Sequence, residues 1–338
     1  MVVSVVVIGA GVVGLSTAVN IQELVPDVSV TIVADRFYES TASYGTGALF
    51  IPSFAQGMPH NNLKLLKRWV KDSWKFYYTL ASSGESVNNG AMFISGYDLM
   101  DKLIPEDPLY KDVVLNCEEM SNTEKHTLGF HDYKYGFKVT TIALQMSKYL
   151  LWLQNRFEKN GGIIIHQHVK SFHELTGQYN IIVNCSGHGS STLASDSKTI
   201  PVGGHLVKMK APWIKHFILT TRNAYIIPGE DKVNLGVYNK SNSTDLTACS
   251  QHTRDIIEQC EKLCPYIKGA KFDHNWIGIR PFRETLRLEI ETIPSGDRHV
   301  PVIHNYGHGY QGIGLSWGTA IHTAQLLHQY ISNNKSKL

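Results

Sequence analysis

The first residues able to do chemistry stand at the start of the chain. Gly9, Gly11 and Gly14 follow the apolar run Val5-Val6-Val7-Ile8 and open a helix-like pattern. A second apolar run, Val30-Thr31-Ile32-Val33, ends at Asp35. Strand, glycine turn, helix and strand in that order make a βαβ unit that binds a dinucleotide. Gly9 permits the tight turn, Gly11 lets a pyrophosphate approach the backbone, and Gly14 lets the helix pack close to the strand. The free N–H groups of the helix N-terminus then face the phosphates. Asp35 is placed to accept a hydrogen bond from an adenosine ribose hydroxyl. The motif does not choose among dinucleotides.

Other chemistries fit the chain less well. The five cysteines are Cys117, Cys185, Cys249, Cys260 and Cys264, an odd number at irregular spacing, as for reduced intracellular thiols. Cys260 and Cys264 lie one turn apart in an amphipathic segment, and no second pair matches them, so no metal is expected. The sixteen histidines are scattered without a His-Glu-x-x-His pattern. A net charge of +3 is too mild for nucleic acid and compatible with an acidic substrate. With 338 residues, 43% of them hydrophobic, the chain is globular, with one large or two medium domains. Its apolar start lacks a cationic leader and is broken by three glycines, unlike a signal peptide, and no other run is long enough to span a bilayer. Ser336-Lys337-Leu338 reads as a peroxisomal import signal, which implies an import receptor as partner and the peroxisomal matrix as location.

The elements that position these residues follow from periodicity. Residues 36–61 form a small-residue loop containing Ser40-Thr41-Ala42-Ser43 and Gly45-Thr46-Gly47-Ala48-Leu49, which lets a large cofactor lie against backbone. Leu63, Leu66, Trp69, Val70, Trp74 and Tyr77 predict a helix over 62–82. A strand is predicted at 91–97, irregular chain at 101–137 and a helix at 141–160, stopped by Gly161-Gly162. Strands at 163–169 and 179–185 follow, the second running into Ser186-Gly187-His188-Gly189, a further ligand edge. Residues 202–210 and 224–238 alternate like antiparallel strands, and 251–264 is helical. Residues 276–281 lead to a basic run with Arg280, Arg283 and Arg287. A second glycine cluster spans 301–318, and a last helix starts near Thr319.

That second cluster carries a resemblance. Val302-Ile303-His304-Asn305-Tyr306-Gly307-His308-Gly309-Tyr310-Gln311-Gly312, then Trp317-Gly318-Thr319-Ala320, stands with Ile279-Arg280-Pro281 and Tyr225-Ile226-Ile227-Pro228-Gly229. Together they closely resemble the D-amino-acid oxidase and D-aspartate oxidase family. Val33-Ala34-Asp35-Arg36-Phe37, Val183-Asn184-Cys185-Ser186-Gly187 and Ala211-Pro212-Trp213 also match, so the resemblance covers nearly the whole chain. It implies an α/β chain with non-covalent FAD. A Rossmann-like βαβ FAD-binding domain (1–55, 141–205 and 300–335) would interleave with a substrate domain on a mainly antiparallel sheet (56–140 and 206–299). It further implies hydride transfer from the α-carbon of a D-amino acid to flavin N5. The imino acid would hydrolyse to a 2-oxo acid and ammonia, and O2 would take the electrons to give H2O2.

The resemblance also implies roles for residues. Arg280 would grip the substrate α-carboxylate with its planar fork, and the Tyr225 hydroxyl would bond the same group. Tyr310 stands where the family has a small residue whose backbone carbonyl faces the substrate amine. Gly9, Gly11, Val12, Val13 and Gly14 would line the pyrophosphate, with Asp35 and Arg36 at the adenosine. Thr41, Ala42, Ser43, Ala48 and Leu49 match the loop near the isoalloxazine. Val169 matches an adenine-side contact, Ser186 the second glycine loop, and Gly309, Gly312, Ile313 and Gly314 the C-terminal flavin loop. The segment 184–205 and the short lid 219–224 look closer to D-aspartate oxidases, so D-aspartate, with D-glutamate beside it, is the expected substrate. An acidic side chain needs a second cation, and Arg222 in the lid is the candidate. The arginine that D-aspartate oxidases carry after a Leu-Gly-Gly strand is missing, since Leu235-Gly236-Val237-Tyr238-Asn239-Lys240 stands there. Further departures are Thr46-Gly47-Ala48, Gly203-Gly204-His205 and Gly314. An oxidase of neutral or basic D-amino acids and a catalytically impaired FAD-binding relative are the alternatives.

Overall fold

Residues 5–8 are buried without exception, and such a run forms a strand covered on both faces. In the computed structural model, which describes residues 2–105, 107–222, 224–237 and 247–334, this strand, Val3–Ile8, is the centre of a parallel half-sheet. Val28–Ala34 and Ile181–Asn184 pair with it in parallel, and Ile163–His166 and Arg298–His308 extend the half outward. Helix Val12–Leu24 crosses from the first strand to the second and packs against the terminal helix Gly312–Asn334 and against Met146–Lys159. Asn223, Tyr238, Asn239, Lys240 and the tripeptide 336–338 lie outside the described residues.

The other half is mainly antiparallel. Ile200–Lys210, Val233–Val237, Ala224–Pro228 and Phe217–Thr220 follow one another as antiparallel neighbours. Phe217–Thr220 then pairs in parallel with Ala91–Met100, which is antiparallel to Tyr135–Leu144. Helix Ser250–Leu263 covers this half, burying Ile256 and Cys260 in its core. One strand, Lys271–Ser295, joins the halves. Its first part pairs with Ile200–Lys210 and its last with Arg298–His308, with the register broken between Phe282 and Arg287. The described residues thus form one 14-stranded sheet. Arg280 pairs with Val202 near the end of the first part of Lys271–Ser295, and Arg283 falls in the register break between the two parts.

Three expectations need correcting. Residues 141–144 are strand, not helix, and the helix starts at Met146. Those four residues are Thr-Ile-Ala-Leu, and in Tyr135–Leu144 they fill a buried sheet position that outweighs a helical pattern. The terminal helix starts at Gly312, seven residues before Thr319. Its glycines read as loop by propensity, yet they let the helix approach its neighbours: a Cβ on Gly314 would meet Pro52 Cγ at 3.0 Å. Within 101–137 lie a strand, Asn116–Glu119, and a short helix, Asn122–Thr127, fixed by a Ser121–Glu124 capping box.

Candidate active site

The turn after the first strand admits only glycine at two places. Gly9 has φ 110°, and a Cβ there would lie 2.5 Å from the Cys185 carbonyl oxygen. A Cβ on Gly14 would lie 1.9 Å from Gly9 O, so the helix sits directly on the turn. Gly11 caps that helix without a side-chain bond, and the first turn holds no acidic residue. The Val12 N–H donates to Ser43 Oγ at 3.1 Å. The positive end of the helix therefore faces open space, the setting an anionic diphosphate needs.

That space is a cavity of about 710 Å³ spanning both halves of the sheet. Gly9, Gly11, Val12, Val13, Asp35, Arg36, Thr41, Ala42, Ser43, Ala48 and Leu49 line it. So do Val169, Ser186, Gly309, Gly312 and Ile313, together with Tyr225, Arg280 and Tyr310. Gly14 and Gly314 do not; both are packing positions behind the wall.

Arg222 is not brought to the cavity either, contrary to its expected place opposite a substrate carboxylate. Its Nη2 bonds Asp101 Oδ1 at 2.6 Å and the Asp132 carbonyl at 2.6 Å, and its guanidinium stacks 4.7 Å from the Tyr133 ring. An acid and a ring that are not part of the cavity lining hold it. The same bond keeps the Asp101 carboxyl below the usual range.

Around Arg280 the fit is close. Its Nη1 donates to Gly203 O at 3.3 Å, and its Cζ lies 4.9 Å from the centre of the Tyr310 ring. Gly204 lies beneath it, where a Cβ would stand 2.1 Å from Nη1. This accounts for glycine at 204, the middle residue of Gly203-Gly204-His205, and leaves Gly203 and His205 unexplained. Tyr225 is buried, and a Cβ on Gly236 would strike its ring at 2.3 Å. Burial raises the Tyr225 hydroxyl pKa, with the Arg280 charge opposing, so the hydroxyl is a neutral donor. Leu206, Leu219, Ile227 and Ile277 complete an apolar wall near this pair.

Sequence reasoning missed several lining residues. His308 is buried against Thr319 Oγ1 at 3.0 Å, and burial pushes its pKa down to about 3, so it stays uncharged. His168 bonds Asp35 through Nδ1 and Oδ2 at 2.8 Å. Gln56 donates from Nε2 to the fully buried Asp98 at 3.2 Å. His308 and His168 adjoin positions already singled out, but nothing local marks Gln56, which reaches the wall only through tertiary packing. Cys185 also lines the cavity, yet burial pushes its thiol up to about 12, leaving it a poor nucleophile. Among the described residues no cluster of metal ligands occurs.

A glycine turn at a helix N-terminus and a guanidinium facing one cavity suit a dinucleotide beside a small carboxylate. The FAD dependent oxidoreductase family profile matches residues 4–326. The chain belongs to this family. Human D-aspartate oxidase is 36% identical over 327 residues, covering 96% of this chain and 94% of that one. D-amino acid oxidase of Dugesia ryukyuensis is 30% identical over 328 residues, covering 95% and 96%. The fold is also that of glycine oxidase from Geobacillus kaustophilus, with a TM-score of 0.78 at 17% identity over 96% of this chain and 94% of that one. FAD is the cofactor of this FAD-dependent oxidoreductase. The chain fits it: Gly9 and Gly11 present bare backbone at the helix N-terminus, Asp35 lines the same cavity, and the cavity extends past the Ala48–Leu49 strand to Arg280.

Proposed function

We propose that this FAD-dependent oxidoreductase oxidises D-amino acids to 2-oxo acids, ammonia and H2O2, with D-aspartate foremost and D-glutamate as its longer homologue. The observation that carries the reading is that Arg280 and Tyr225 share the cavity that the glycine turn lines. Bound FAD supplies the hydride acceptor. Arg280 binds the α-carboxylate with two N–H groups of its fork, and the Tyr225 hydroxyl donates to the same carboxylate. Two anchors on one carboxylate fix the α-carbon in place, which is the main contribution asked of the protein. The Tyr310 backbone carbonyl accepts from the substrate amine. Gly9, Gly11, Val12 and Val13 hold the pyrophosphate, Asp35 and Arg36 the adenosine side, and Ser43, Ala48 and Leu49 the ring side. The relatives named D-aspartate oxidase support the acidic substrate.

A second reading, a preference for neutral D-amino acids, is favoured by one observation. The wall near Arg280 carries Leu206, Leu219, Ile227 and Ile277, while Arg222 is engaged by Asp101 outside the cavity. An unpaired carboxylate against apolar side chains is costly. Anaerobic reduction of the FAD-loaded protein tests both. Bleaching of the flavin by D-aspartate and not by D-alanine supports the first reading, and the reverse supports the second. No bleaching by any D-amino acid overturns the function. Peroxisomal location rests on Ser336-Lys337-Leu338; a tagged chain lacking Leu338 that still enters peroxisomes overturns it.

A further inference from the structure

Tyr310 brings a large side chain to a position where its backbone alone has an assigned task. The side chain lines the cavity, and its ring is packed from three directions. Arg280 lies over the ring, with Cζ 4.9 Å from the centroid. Phe282, two residues along the strand from Arg280, meets it edge-on, at 6.4 Å and 70°. Behind the ring Gly57, at φ +76°, passes so close that a Cβ would stand 2.7 Å from Tyr310 Cδ2. Gly57 is outside the cavity lining, so the space it leaves serves the ring and not the ligand.

Arg280 needs such a support. Its bond to Gly203 O is long, 3.3 Å, the Tyr225 hydroxyl fixes only one side of the fork, and the long side chain has many rotamers. A guanidinium that must present one edge to a carboxylate binds it better when its plane is fixed beforehand. An aromatic face does this without competing for the N–H groups, since it attracts the cation through its quadrupole. We propose that Tyr310 is a positioning residue: its ring holds the Arg280 guanidinium in the orientation that grips the substrate carboxylate, in space that Gly57 leaves open. The proposal rests on the reading that Arg280 binds that carboxylate.

The test uses the FAD-loaded full chain with Tyr310→Leu, which fills space without a π face, and Tyr310→Phe, which keeps the ring. Propanoate, a carboxylate without an amine, is titrated by the change in flavin absorbance, and KM and kcat for the D-amino acid are measured alongside. Tyr310→Leu is expected to weaken propanoate binding and raise KM roughly 2- to 30-fold, with a much smaller change in kcat. Tyr310→Phe recovers most of that loss. Gly57→Ala, which displaces the ring from behind, reproduces the KM rise. Unaltered propanoate binding in Tyr310→Leu, or an equal loss in Tyr310→Phe, overturns the positioning role. A wild type that binds propanoate but oxidises no D-amino acid overturns the proposed function alone, and the propanoate titration of the variants still decides the role of the ring.

Discussion

Gly204 and Arg280 occupy neighbouring strands so closely that a Cβ on the first would lie 2.1 Å from Nη1 of the second. Gly204 faces Gly278 in the register of Ile200–Lys210 with Lys271–Ser295, two residues before Arg280. The guanidinium therefore lies across the strand it packs on, and glycine is a condition of its position. Gly204→Ala is expected to lower kcat/KM about 100-fold by displacing Arg280, with flavin content unchanged. Steady-state kinetics against flavin absorbance check this; a fall of less than about twofold removes the constraint.

Removing the guanidinium itself acts on the same step. Arg280→Ala is expected to cost about 2–5 kcal/mol of carboxylate binding, roughly 30- to 5000-fold in kcat/KM, with FAD still bound. Arg280→Lys keeps the charge but loses the planar fork and recovers only part. Full recovery by lysine would show that charge alone is needed.

How much of this was legible in the sequence depended on how local each constraint is. The turn at Gly9, Gly11 and Gly14 was readable because strand, turn and helix are consecutive and Gly14 packs on Gly9 within that unit, although Gly9 also answers the distant Cys185 carbonyl. Arg280 and Tyr225 were placed by resemblance, since periodicity alone marks neither. Residues 141–144 misled because a buried strand can mimic one face of a helix, and Gly312–Gly318 misled because helix-packing glycines look like loop glycines. Gln56 was invisible: it joins the site through a partner 42 residues away, Asp98.

Arg222 gives a prediction that separates reading from geometry. Asp101 and the Asp132 carbonyl hold its guanidinium outside the cavity. Arg222→Ala is expected to change kcat/KM for D-aspartate and D-alanine alike, by less than about threefold, as for the loss of an exposed ion pair. A loss confined to D-aspartate would return Arg222 to the substrate.

At the cofactor's other end, Asp35 lines the cavity and bonds His168 at 2.8 Å. Asp35→Ala is expected to weaken FAD binding about 5- to 30-fold, the effect of one or two lost hydrogen bonds, with kcat retained at saturating FAD. Fluorescence titration of the FAD-free protein measures it. An unchanged affinity removes Asp35 from the ribose.

A carboxyl behind the cavity wall makes stability depend on pH. Asp98 is fully buried between Tyr110 Oη at 2.7 Å and Gln56 Nε2 at 3.2 Å. Burial pushes its pKa up from 3.8 to about 7, although both hydrogen bonds favour the charged form. The folded protein thus holds a proton that the unfolded chain releases near pH 4, so the folded state binds more protons across the window between. Stability from this group is fully present below pH 4 and is lost as pH rises toward 7, beyond which the cost levels off. Asp98→Asn removes the titration. The Gln56 amide can turn to accept from the new amide, because its Oε1 has no partner of its own. Relative to wild type, the variant should gain up to about 1.4 kcal/mol per pH unit between pH 5 and 7 and hold that gain at pH 8. Urea unfolding at pH 5, 6, 7 and 8 measures the difference. A constant offset across that range would mean that Asp98 is ionised throughout and that Tyr110 and Gln56 suffice to keep it so.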